Sequence, residues 1–354
     1  MRSSLVIAGA LAVTGWATST LMPAGPAFAG DRLTIVTWGG AAQAGMRKAI
    51  FDPFTKTTGI KITDDEWNGE LAKVRAMVES KTVSWDVVDA TSGGALRMCN
   101  DGLIETIDWN KLGLDRDKFG NPGKFDCGLP HAYNVTVLTY DKSSLPNGPK
   151  TIADLFDTNK FPGKRGLWKS PSGILEWALI ADGVPIKDVY KVLRTPDGLD
   201  RAFKKLDTIK KDIIWWTAGA QPLQLLADRQ VIMTAAWNGR IDAAMKESGK
   251  PFEIMWDAAV GGWGYFVIPK GSPRLDDVYK FLAFAGSPQI EADLTRYFPV
   301  GPANKDAMAL VDPAVLPNLA NSPEHYAIAI QPDLQFYLEK SDELTQRFTA
   351  WLAK

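Results

Sequence analysis

Six stretches of this chain carry side chains suited to gripping a small molecule: Trp38, Thr91-Ser92, Tyr133-Asn134, Ser170 to Ser172, Trp237 to Arg240, and Trp263 to Tyr265. Most stand just after a run that reads as a β-strand, where strand ends and helix starts share one edge of an α/β sheet. Aromatic rings there give apolar plates, and hydroxyls and an arginine give orientation, which is the composition of a ligand cleft. A tryptophan in such units is more often core than contact, so no member decides alone. Thr91 to Gly94 and Ser170 to Ser172 precede helices, and hydroxyls and free N–H groups at a helix start favour a carboxylate or phosphonate. Arg240 follows the Trp237 strand and is able to clamp an anion through two hydrogen bonds. The alternative makes Arg240 an ordinary helix residue paired with Asp242, Glu247 or solvent.

Catalytic sets are scarce. The histidines number two, His131 and His325, and no G-x-S-x-G elbow, P-loop or early G-x-G-x-x-G is present. Gly262-Trp-Gly264 is an isolated G-x-G, and no carboxylate pair stands out as an acid/base couple. Without C-x-x-C and with so few histidines, no zinc site is expected. The chain therefore reads as having no catalytic residues, no metal and no cofactor. A secreted hydrolase or lyase is the competing class.

The elements that must position these residues follow from periodicity. Arg32 to Trp38 alternates and is β-branched, a strand ended by Gly39-Gly40 before a helix over 42–57. Strands are expected at 59–63, 85–90, 135–140, 166–168, 231–236, 252–256 and 264–268. Helices are expected at 70–80, 95–100, 174–182, 197–211, 222–229, 275–285, 288–297 and 341–353. The alternation predicts a largely parallel sheet, and the strand over 135–140 is long enough to cross between two lobes.

At the start of the chain Arg2 is followed by an apolar run to Met22, and Ala27-Phe28-Ala29 before Gly30 has the A-x-A form of a signal-peptidase site. Removing residues 1–29 leaves 325 residues, 354 minus 29, enough for two lobes. The mature formal charge is 39 minus 41, or −2, with both signs spread along the chain, which argues against nucleic acid or an anionic membrane as partner. Cys99 and Cys127 are the two cysteines. Export favours a disulfide, worth roughly 2–4 kcal/mol, with two unrelated buried thiols as the alternative.

The order Trp38-Gly-Gly, Trp85-Asp-Val-Val, Gly102 to Asp108, Tyr133-Asn-Val, Phe161-Pro-Gly-Lys, Trp237-Asn-Gly-Arg240, Ile268-Pro-Lys-Gly-Ser-Pro and Phe298 to Asn304 resembles the spermidine/putrescine-type solute-binding proteins of bacterial ABC importers. The resemblance implies an α/β, two-lobed periplasmic-binding-protein fold, a type II-like clamshell with a mixed sheet in each lobe. It implies a periplasmic, monomeric receptor that closes on a small solute and delivers it to permease subunits, and it makes a Cys99–Cys127 bridge plausible. On that pattern the lobes are 30–136 plus 267–303, and 137–266 plus 304–354. The expected ligand residues are Trp38, Thr91, Ser92, Tyr133, Ser170, Ser172, Trp237, Arg240, Trp263 and Tyr265. The pattern breaks at the amine-binding carboxylates of polyamine receptors, whose places here read Ser170-Pro-Ser-Gly173 and Gly262-Trp-Gly264. Glu176, one turn inward, is either a substitute or an exposed helix residue. The expected solute is accordingly a carboxylate- or phosphonate-bearing amino-acid derivative or an opine-like metabolite, with a polyamine as the alternative. A ferric ion on Tyr133, Tyr140 and Tyr265 is a further, weaker reading.

Overall fold

Strand-forming β-branched runs dominate the frame of the molecule. A computed structural model describes residues 32–120 and 126–354, so the leader and its expected cut after Ala29 lie outside the described residues. Among the described residues the strands are β1 (Arg32–Thr37), β2 (Lys61–Glu66), β3 (Val87–Thr91), β4 (Leu129–Asp141), β5 (Arg165–Trp168), β6 (Ile213–Trp216), β7 (Met233–Trp237), β8 (Phe252–Val267) and β9 (Gly301–Pro302). They hydrogen-bond in the order β2-β1-β3-β8-β4-β7-β5-β6, with β9 on β4. The three strands β2, β1 and β3 are mutually parallel, as are β6, β5 and β7. Between these two sets run the long antiparallel strands β8 and β4. The fold is α/β, and the strand sets of the two halves are continuous through β8 and β4 as one mixed sheet.

Two expected strands, 252–256 and 264–268, are one strand. Gly262-Trp-Gly264 reads as a break in sequence, yet β8 runs through it, and glycines there give space: a side chain at Gly261 would overlap the Tyr133 hydroxyl on neighbouring β4, and one at Gly264 would crowd the His131 ring. The pair is kinked rather than broken, with Ala258 at φ 52° and a register shift between Thr136 and Leu138. β6 was not foreseen, because four residues, Ile213-Ile-Trp-Trp216, show no alternation. The first helical run extends over Gly40–Thr58 with a π-turn at Arg47–Phe51, and Gly59 at φ 80° ends it as a left-handed cap. The last helix begins earlier than expected and spans Leu334–Ala353.

Side-chain alternation sorts the core onto both faces of each half. Leu33, Ile35, Phe51, Phe54, Phe266 and Phe281 pack on one face of the first half, and Val36, Val88, Tyr265 and Val267 on the other. In the second half Leu138, Leu167, Trp177 and Met255 face one way, and Val135, Val137, Ala236 and Phe252 the other.

Several family-like motifs are structural ties. Buried Asp86 accepts from Thr34 N at 2.7 Å, from Ser272 Oγ at 3.1 Å and from Arg274 Nη2 at 2.9 Å, joining β1 to the Ser272-Pro turn. Asn238 accepts from Val135 N at 3.1 Å and donates to Pro299 O at 3.1 Å. Cys99 and Cys127 form a disulfide, with Cα atoms 5.7 Å apart, joining the end of the helix Ser92–Asn100 to the approach to β4.

Candidate functional site

Parallel pairing puts the carboxyl ends of β1 and β3 at one edge, and those of β5, β6 and β7 at another. Residues at those ends are Trp38, Thr91, Trp168, Trp216 and Trp237. The two edges meet, because the Trp38 and Trp237 rings lie 5.9 Å apart, edge to face. Trp67 adds a wall 5.5 Å from Trp38, and Trp168 and Trp216 lie 5.9 and 5.6 Å from Trp237. Gly69 accommodates the Trp38 ring, which a Cβ there would approach to 2.9 Å.

Arg240 sits in this cage, 6% exposed, in the first turn of the helix Asn238–Ser248. Its Nη2 donates to Trp38 O at 2.7 Å and Gly39 O at 3.1 Å, and its guanidinium lies 5.5 Å from the centre of the Trp237 ring. A Cβ on Gly40 would come within 3.0 Å of Nη1, and one on Gly219 within 2.7 Å of Nε. Among the described residues no carboxylate forms an ion pair with Arg240, and Nε and Nη1 have no hydrogen-bond acceptor. Asp242 instead holds Lys246 at 2.7 Å, so the pairing of Arg240 along its own helix does not occur. Burial pulls the Arg240 pKa down, against the opposing charges of Glu66 and Asp89.

The remaining expected residues divide by what already engages them. Thr91 caps its helix by accepting from Gly94 N at 3.2 Å, and the Ser92 hydroxyl bridges both Trp263 O and Trp263 N, at 2.8 and 3.0 Å. The Ser92 hydroxyl is thus engaged by the backbone as both donor and acceptor, whereas Thr91 uses its hydroxyl oxygen only as an acceptor. Ser92 and Trp263 do line a cavity of about 560 Å³, together with Leu96, Tyr326, Gln331 and Asp333. Tyr133 is fully buried behind it, its hydroxyl accepting from Gln331 Nε2 at 2.8 Å and its ring 4.8 Å from Trp263; burial raises its pKa. Tyr265 lies in the core beside Val88 and Val267, and Tyr140 in that of the second half. The three tyrosines do not gather as a metal set; among the described residues no cluster of His, Cys, Asp and Glu does either. Ser170 Oγ accepts from Ser172 N at 3.2 Å. Glu176 is neither an exposed residue nor a group facing a ligand: it is fully buried and accepts from Gly173 N at 3.0 Å, Tyr190 Oη at 2.7 Å and Tyr337 Oη. Burial raises its pKa.

Sequence reading missed Trp67, Trp168, Trp216, Gln331 and Tyr326. Trp168 carried a usable signal as the last residue of an expected strand; Trp216, on a strand without alternation, Tyr326, in the short helix Pro323–Ile328, and Gln331, in irregular chain, carried none.

Residues 49–323 match the bacterial extracellular solute-binding protein family. The chain belongs to this family. A gamma-aminobutyric acid-binding protein of Pseudomonas aeruginosa is 42% identical over 328 residues, 91% of each chain. A structure described as a GABA receptor is 36% identical with a TM-score of 0.80, covering 91% of this chain and 98% of its own. The PBP MotA from A. tumefaciens B6, in complex with glucopine, is 30% identical with a TM-score of 0.84, covering 91% and 99%. A spermidine/putrescine-binding periplasmic protein of Salmonella typhimurium stands further off, at 22% over 336 residues. These relatives and neighbours are solute-binding transport proteins, and the polyamine reading is the less favoured of the two. The fold of this solute-binding protein is that of the periplasmic binding proteins.

Proposed function

We propose that this solute-binding protein captures a small carboxylate-bearing amino-acid derivative, in the range from γ-aminobutyrate to an opine-like conjugate, and delivers it to ABC permease subunits. One observation carries the reading: Arg240 is buried in a cage of tryptophans at facing strand ends, with Nε and Nη1 free of acceptors among the described residues. A carboxylate or phosphonate meeting one of those donors, which do not form a fork with each other, gains a charged hydrogen bond in a desolvated place, where such a pair is strong. Trp38 and Trp237 then cover the apolar part of the solute. The ligands named for two relatives, GABA and glucopine, support this choice. A polyamine has no group for Arg240 and brings a like charge towards it.

The leader is removed after Ala29 and the mature protein works as a monomer in the periplasm. Its lobes are joined by β4 and β8 and close on the solute. The division of the cores between residues 33–132 with 266–303 and residues 138–260 with 330–351 supports these lobes. Ala307, Val311 and Leu319 pack with Ala292 of the helix Pro288–Tyr297, so the segment 304–319 moves with the first lobe rather than the second. Calorimetric titration tests the ligand assignment. GABA should bind wild type, and Arg240→Ala should weaken it well over tenfold, the loss of one partner of a buried charged hydrogen bond costing roughly 2–5 kcal/mol. Binding of putrescine alone, unchanged in Arg240→Ala, would overturn it.

A further inference from the structure

The second charge of the site is carried by β2. Strands β2 and β1 are parallel with Glu66 opposite Thr37, so Glu66 ends its strand at the same edge as Trp38. Gly39, at φ 64°, lies beneath its carboxylate: a Cβ on Gly39 would stand 2.5 Å from both Cδ and Oε2 of Glu66. The carbonyl of Gly39 is one of the two that accept from Arg240, beside that of Trp38. Glu66 and Arg240 thus flank one short stretch of backbone, near enough for the carboxylate charge to act on the guanidinium, yet they form no ion pair with each other.

Neighbouring acids are engaged. Asp64 takes Gln43 and Arg47, Asp65 takes Trp85 Nε1 at 2.9 Å and Lys73 at 3.6 Å, and buried Asp89 takes His131 at 2.9 Å. Among the described residues the Glu66 carboxylate has no hydrogen-bond donor and no cation, and the residue is exposed. We propose that Glu66 receives the ammonium group of a zwitterionic solute whose carboxylate is held by Arg240. The inference rests on the carboxylate reading of the Arg240 cage. It makes the site dipolar, selecting an ω-amino acid over a plain carboxylate, which lacks the cation, and over a diamine, which lacks the anion. It also supplies an amine partner where the carboxylates of polyamine receptors are missing.

The probes are GABA and butanoate, identical in carbon chain and differing by the ammonium, titrated into the full mature protein as wild type, Glu66→Gln and Arg240→Ala. Glu66→Gln keeps the side-chain shape at an exposed position and should leave the unfolding midpoint unchanged. The expected result is a GABA affinity lower by roughly tenfold or more in Glu66→Gln, with butanoate unaffected, because a hydrogen bond to a charged partner is lost only for the amine. Arg240→Ala should weaken both probes. Loss in Arg240→Ala without a GABA-selective loss in Glu66→Gln would overturn the role of Glu66 alone. Unchanged binding of both probes in Arg240→Ala, or no binding of either to wild type, would overturn the carboxylate reading and this inference with it.

Discussion

Arg165 and Arg240 are both buried guanidiniums without a carboxylate partner among the described residues, and burial lowers the pKa of each. Their hydrogen bonding separates them. Arg165, at the start of β5, uses Nε, Nη1 and Nη2: it donates to Leu155 O at 3.0 Å, Phe161 O at 2.5 Å, Asp157 O at 3.2 Å and Gly163 O. It closes the Phe161-Pro-Gly-Lys turn and leaves nothing for a ligand. Arg240 donates through Nη2 alone, at the far end of a neighbouring strand, among tryptophans from both sets of strands. Burial of a charge therefore does not mark function here; free donors at the shared strand edge do.

The largest effect expected from this contrast is on stability. Arg165→Met removes the donors for four main-chain carbonyls while filling the space with an apolar chain, which should cost about 3–5 kcal/mol in denaturant unfolding. GABA affinity of the folded protein should be unchanged. A cost below about 1 kcal/mol would break the contrast by showing that those carbonyls find other donors.

Arg240→Lys should behave in the opposite way. It keeps the charge but loses the fixed planar donors, so a lysine cannot hold the Trp38 and Gly39 carbonyls and present a separate N–H to a carboxylate in the same geometry. Affinity should fall by about tenfold or more, while the unfolding midpoint moves by less than about 1 kcal/mol equivalent. Equal effects on binding and stability would make Arg240 a second Arg165.

How far these roles were legible in the sequence differs by residue. Trp38 and Trp237 follow β-branched runs, so their position at strand ends could be read directly. The position of Arg240 could be read as well, but the choice between ligand donor and helix pairing could not, since it depends on Asp242 turning to Lys246. Ser92 was placed correctly after its strand, yet its hydroxyl is bound by Trp263, which lies 171 residues away. Pairing between segments so distant leaves no local periodicity. The same reason hid the continuity of β8, where glycines that make room for a neighbour look like turn residues.

Trp38→Ala should sharpen the contrast from the apolar side. Stacking area does not depend on ligand charge, so GABA and butanoate should lose a similar factor, about tenfold for the burial of an aromatic face. A loss confined to GABA would transfer ammonium recognition from Glu66 to the indole face, as a cation–π contact.

The smallest effect concerns a buried charge of opposite sign. Glu291, in the helix Pro288–Tyr297, accepts from Asn304 N at 2.6 Å through Oε2, while Oε1 has no partner among the described residues. It has free capacity, as Arg240 does, but it packs under residues 303–307 and away from the strand edge, so the contrast predicts no role in binding. Burial raises its pKa well above the ordinary 4.5. A carboxyl raised in this way contributes stability that is fully present below the unfolded value and is lost as pH rises through the folded value. Glu291→Gln keeps an oxygen for Asn304 N and removes the titration. Wild type and variant should therefore unfold at similar midpoints near about pH 4, with the variant the more stable by about pH 8 and GABA affinity equal in both. If the wild type were instead the more stable at the higher pH, the buried carboxylate would have a cationic partner, and the distinction between free capacity at the edge and free capacity elsewhere would fail.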